Sequence, residues 1–167
     1  MPKTKTLTIG VEWQEINATA DDWEKVGQAE CMKMLNHMHL IRAFEEELLT
    51  LDKEGQVHGP LHVSVGHEGS IVAAMSQFAD GDLVNGSHRG HHLFLAKALN
   101  YLEAEDFDPT KDPYPESIQT LIYRCMAEIL GLAPGYCKGR GGSMHLRWDE
   151  AGVIGTNAIV GGAVPLA

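Results

Sequence analysis

Cysteine is scarce: Cys31, Cys125 and Cys137 are the three among 167 residues, an odd number with no Cys-x-x-Cys spacing. This argues against a disulfide framework and a cysteine-built zinc site, and makes buried free thiols the expectation. Basic residues are also short, with 13 Lys and Arg against 23 Asp and Glu and a net charge of -10. Nucleic acid and anionic membrane, which need clustered Lys and Arg, are therefore not expected as partners held by bulk charge, and any phosphate must be held locally. No apolar run approaches the roughly 18 to 20 residues of a spanning helix, and the opening MPKTKTLTIG has no apolar signal core, so a cytoplasmic chain is expected. No internal repeat is visible, and neither the Walker loop nor the dinucleotide fingerprint occurs.

What is present is an ordinary globular composition, 44% apolar and 22% charged, long enough for one hydrophobic core. The stretch LTIGVEW alternates like a short strand, and ATADDWEKV supplies the capping residues and early acids of a helix. Met34, Met38, Ile41, Phe44, Leu48 and Leu51 recur at steps of three and four, which predicts a helix within about 21–54, with a possible internal break and Gly55 just past its end. A second helix is expected from His67, with Ile71, Val72, Met75 and Phe78 as its apolar face. DGDLVNG reads as turn, buried strand, turn, and HHLFLAKALNYL then has helical spacing at Leu93, Ala96 and Leu99. The acidic, proline-bearing residues 103–116 predict a surface excursion, followed by a helix over 116–131. GVIGTNAIVGG reads as buried strand and turn, and GGAVPLA as the first turn of another helix.

Three stretches carry chemistry. GSHRGHH, residues 86–92, sits between the predicted strand and helix, where free backbone N–H groups and a positive dipole end face an anion. Arg89 adds a permanently charged fork suited to phosphate or carboxylate, and His88 and His91 add donors; equally, Arg89 could pair with one of the many acids. HGPLHVSVGHEG brings His58, His62 and His67. A zinc or iron site would draw on these with His88 and His91, but Gly59 and Pro60 interrupt the spacing between His58 and His62, and substrate hydrogen bonding beside Arg89 is the stronger expectation. CKGRGGSMHLRW is glycine-dense, with Lys138, Arg140 and His145 able to face an anion or only solvent. Ser143 near His145 invites a nucleophile and base assignment, with no orienting acid in the sequence to support it.

Taken in order, HGPLHVSVGHEG, NGSHRGHH, GYCKGRGGSMHL and GTNAIVGGAVPLA resemble the alpha subunit of the thiamine-diphosphate-dependent first component of 2-oxo acid dehydrogenases, over about Met34 to Ala167. Acetoin dehydrogenase alpha subunits are similar. The resemblance implies an α/β chain: an incomplete thiamine-diphosphate-binding fold, with a long N-terminal helix and the first strands and helices of a mainly parallel sheet. It implies an arm at 1–20 and the N-terminal portion of the cofactor domain at 21–167. It also implies that Arg89 holds the cofactor diphosphate and that His88 touches the cofactor, where many members have tyrosine. His62, His91 and His145 fall at catalytic or channel positions, the Ala158 backbone pairs with the aminopyrimidine, and Val160 supports the bent cofactor. His92 replaces a usual glycine.

The Gly-Asp-Gly segment that binds magnesium in this family does not occur in the sequence, so magnesium ligands are expected outside this chain. The resemblance further implies a beta-type subunit or the remainder of a longer polypeptide, a lipoyl-bearing acyltransferase, a 2-oxo acid substrate and an oligomer. The chain alone is expected to be inactive. A non-catalytic interaction module of the same fold is the alternative.

Overall fold

The computed structural model describes residues 10, 15, 17–79, 81–102 and 111–162. In chain order they form α1 (Ala20–Val26), α2 (Gln28–Lys53), α3 (Glu68–Met75), β1 (Val84–Gly86), α4 (His91–Leu102), α5 (Glu116–Ile129), a single 3-10 turn (Asp149–Ala151) and β2 (Val153–Thr156). All of the stretch LTIGVEW but Gly10, residues 103–110 and residues 163–167 lie outside the described residues, and with them most of the predicted arm, excursion and final helical turn.

The predicted first helix is two. The Asp22 carboxylate accepts the Thr19 backbone N–H at 3.0 Å and the Thr19 hydroxyl at 2.7 Å, starting α1 at the expected capping stretch. Gly27, at φ +87°, then breaks the helix before α2 begins. α2 ends as its glycine predicts: Gly55 is left-handed at φ +74°, its N–H donates to the Asp52 carbonyl, and the Gln56 N–H donates to the Leu51 carbonyl. α3 stops at Met75, so Phe78 lies beyond the helix and is exposed rather than part of its apolar face.

β1 and β2 pair in parallel, with Val84 opposite Val153, Asn85 opposite Gly155 and Gly86 opposite Thr156, the register slipping between Val84 and Asn85. Their inward residues Val84 and Val153 are buried while Leu83 and Ile154 are exposed, so the strand stretches are buried on one side only. α4 packs against α2, α3, α5 and β2. Its Phe94, Leu95 and Leu99 meet Ile41, Phe44 and Leu48 of α2, Val72 of α3 and Leu121 and Cys125 of α5 in one core cluster. Burying a side chain the size of Phe94 stabilises the fold by about 2–3 kcal/mol. No helix among the described residues is long and apolar enough to cross a membrane.

Candidate functional site

The two parallel strands end side by side, and the loops leaving them are tied together there. Both the backbone N–H and the side-chain amide of Asn157 donate to the Gly86 carbonyl at 3.0 Å. Gly90, at the entry to α4, is buried against Thr156, the residue opposite Gly86 in the strand register. The predicted strand-to-helix junction is therefore present, and residues 87–90 and 157–162 issue from one edge.

Arg89 is exposed and donates to the Val63 carbonyl, which docks the stretch holding His62 against the loop. Among the described residues it has no carboxylate partner, so its guanidinium charge remains available to an anion. The His62 and His88 rings stand edge to face at 4.8 Å, and His67 and His92 repeat the arrangement at 5.5 Å. The Nδ1 atoms of His88 and His92 are buried and have no hydrogen-bond partner. Burial holds His88 below the ordinary histidine range, helped by its neighbours His62 and Arg89. Burial likewise takes His92 down to about 4, so its ring is neutral near pH 7.

Ala158 and Val160 are exposed on the turn that follows β2. His145 is exposed, and its Nδ1 lies 3.2 Å from the Thr156 carbonyl, which fixes the ring beside the same strand end. Five of the seven site residues thus belong to this edge or the loop docked on it, namely His62, His88, Arg89, Ala158 and Val160, and His145 reaches it from the glycine loop.

His91 does not share their exposure. As the first residue of α4 it has no accessible surface; its Nδ1 is 3.1 Å from Glu45 Oε2, and its Nε2 is 2.8 Å from Ser143 Oγ and 3.1 Å from the Ser143 carbonyl. In this chain it can act only through Glu45 and Ser143. The Ser143 hydroxyl is thus engaged by His91 and not by His145, in line with the lack of sequence support for a Ser143 and His145 nucleophile and base pair. Among the described residues no group of three or more His, Cys, Asp or Glu side chains is placed to hold a metal, so His58, His62, His67, His88 and His91 do not converge as a zinc or iron set.

Four acids in or around this region went unremarked in the sequence. Glu45 and Glu128 are fully buried, on the faces of α2 and α5 that also bury Ile41, Leu48, Leu121 and Cys125. The signal was an acid inside an apolar stripe. The Glu128 carboxylate accepts backbone N–H groups from the glycine loop: Cys137 at 2.7 Å and Gly139 at 2.9 Å on Oε2, Gly141 at 2.6 Å and Gly142 at 3.3 Å on Oε1. Glu68 takes Arg42 as a fork, 2.7 and 2.9 Å, along with the Gly66 N–H; the Arg42 guanidinium leads in pulling its carboxyl down to about 2. Asp149 pairs in the same way with Arg147.

A basic side chain without a carboxylate partner at a strand-to-helix junction, in a parallel α/β arrangement, is suited to an anion. No family model matches the chain. Among curated proteins it is 36% identical over 134 residues to the acetoin:2,6-dichlorophenolindophenol oxidoreductase alpha subunit of Bacillus subtilis, covering 80% of this chain and 34% of that protein. The corresponding subunit of Cupriavidus necator is 33% identical, covering 77% and 32%. The alpha subunit of the pyruvate dehydrogenase E1 component of Rickettsia felis is 32% identical, covering 85% and 37%. The chain is similar to these alpha subunits over about four-fifths of its own length, in keeping with its four motifs, and spans about a third of the length of the relatives it matches.

Proposed function

We propose that this chain forms one wall of a thiamine diphosphate site in the alpha part of a decarboxylating 2-oxo acid dehydrogenase, or of the similar acetoin dehydrogenase. The observation that carries this is Arg89: a permanent cation at the junction of β1 and α4, held by the Val63 carbonyl and without a carboxylate partner among the described residues. His88 precedes it on the same loop, its ring edge to face with that of His62 at 4.8 Å. An unspent cation at a strand-to-helix junction fits a diphosphate.

In this assignment Arg89 and His88 bind the diphosphate, and His62, edge-on to His88, orients the 2-oxo acid. The Ala158 backbone and Val160 hold the cofactor's rings, and His145 lines the approach. Bound there, the cofactor supplies the electron sink for cleaving the bond beside a carbonyl, so the protein groups need only anchor and orient. His91, enclosed between Glu45 and Ser143, serves as a positioning residue. Magnesium ligands, the beta-type part and the lipoyl-bearing acyltransferase that accepts the acyl group are assigned to chain or partners beyond these residues. The assembly is an oligomer working in the cytoplasm.

Calorimetric titration of thiamine diphosphate with magnesium, into the chain alone and into its mixture with a beta-type partner, tests the proposal. Binding with the partner that is lost in Arg89→Ala is expected, together with no dye reduction by the chain alone on a 2-oxo acid. Absence of binding in any mixture, with the chain folded and the partner shown to associate, would leave an interaction module instead.

A further inference from the structure

We propose that Glu128 is a positioning residue for the glycine loop: its carboxylate fills the loop's amide cradle from within and sets the loop's shape before any ligand arrives. The proposal rests on the assignment above in placing His145 of that loop beside the cofactor, and it adds that the loop's own N–H groups are not what holds a phosphate.

A glycine-dense loop with two successive left-handed residues, Lys138 at φ +60° and Gly139 at φ +73°, aims neighbouring backbone N–H groups into one concavity suited to an anion. Here the anion is supplied by the chain. Four amides, from Cys137, Gly139, Gly141 and Gly142, converge on the two oxygens of Glu128, whose side chain has no accessible surface. The glycines are needed because the loop closes directly onto α5. A β-carbon at Gly135 would lie 2.5 Å from the Glu128 Cα, and one at Gly139 would lie 2.5 Å from the Gly131 carbonyl carbon. A buried carboxylate taken from water needs such donors, and a loop with its amides turned inward needs an acceptor, so each satisfies the other. The loop then runs on to Ser143, which meets His91, and to His145, which meets Thr156. Glu128 touches none of the proposed ligand-binding groups and acts on them through the backbone.

Amide hydrogen exchange on the full chain without ligand tests this. The amides of residues 137, 139, 141 and 142 are expected to be protected in the ligand-free chain. They should exchange about tenfold or more faster in Glu128→Gln, whose NH2 faces two amide donors, while the amides of α4 are unchanged. In Glu128→Ala, added acetate should restore protection by refilling the cradle. Inorganic pyrophosphate added to the unaltered chain should leave the four amides as they were. Unprotected loop amides in the ligand-free chain, equal rates in Glu128→Gln, or new protection of these amides by pyrophosphate would each overturn the proposal. If Glu128→Gln unfolds the whole chain, the ligand-free and pyrophosphate measurements on the unaltered chain decide alone. The cofactor assignment fails separately, in the titration of Arg89→Ala.

Discussion

Gly90 and Thr156 meet where the two strand ends come together, and the contact leaves no room for one more carbon. A β-carbon added at Gly90 would lie 2.5 Å from Thr156 Cγ2, 3.0 Å from its Cβ and 3.2 Å from its Oγ1. Thr156 is not free to yield, because its hydroxyl donates to the Met144 carbonyl at 2.7 Å and accepts the Leu146 N–H at 3.0 Å. Gly90→Ala should therefore cost about 1–3 kcal/mol, the range for forcing an extra methyl into a packed interior. Thr156→Ser removes Cγ2 and keeps both hydroxyl bonds, so alone it should cost about 1 kcal/mol for the lost methyl.

Were the two sites independent, the double variant would lose the sum. With the clash between the two carbons as the cause, Thr156→Ser opens space for the new carbon, and the double variant should be more stable than Gly90→Ala alone. That requires a coupling of more than about 1 kcal/mol in its favour, enough to outweigh the methyl lost from Thr156. Urea unfolding of the four chains, with unchanged m-values, reads the cycle directly. Additivity within about 0.5 kcal/mol would refute the contact as the source of the cost.

Three further outcomes follow from the charges. His92 is held at about 4 against an ordinary 6.5, so the stability tied to its neutral ring is present above pH 6.5 and lost as pH falls toward 4, about 3 kcal/mol when complete. His92→Gln should flatten the urea midpoint across that window, and an unchanged slope counts against the assignment. Glu68, drawn to about 2 from 4.5, contributes stability that is present above pH 4.5 and lost as pH falls toward 2; Arg42→Ala should shrink that acid limb, and an identical limb refutes the pairing. Burial, with the negative Glu45 and Glu128 nearby, pushes the Cys125 thiol well up, so iodoacetamide should label the partly exposed Cys31 in the native chain and Cys125 only after denaturation; comparable native rates by mass spectrometry would contradict this.

Local signals carried most of the fold. The three- and four-residue spacing of Ile41, Phe44 and Leu48 placed α2, and Gly55 marked its end, because both depend only on neighbours along the chain. Phe78 departs from its spacing for the opposite reason. It continues the spacing of Ile71 and Met75, but α3 ends at Met75 and the chain turns before Phe78 is reached, a matter of tertiary packing. The strand-to-helix junction holding Arg89 was also legible, since a short apolar run followed by Gly86 and a helical pattern has few other meanings.

The buried acids show where such signals end. Helical period alone puts Glu45 between Ile41 and Leu48, and Glu128 next to Ile129 on the face of Leu121, so their burial could be read from the sequence. Their partners could not. His91 lies 46 residues from Glu45, and the loop amides on Glu128 belong to backbone whose path no side-chain pattern specifies. A polar group taken into a core requires a partner, so an acid inside an apolar stripe means a specific long-range contact waits to be found. Here both contacts lead to the glycine loop, one through His91 to Ser143 and the other directly. A loop that sequence composition alone would leave as solvated connector is therefore held from two helices, α2 by way of α4 and α5, and its shape depends on two carboxylates that no water reaches.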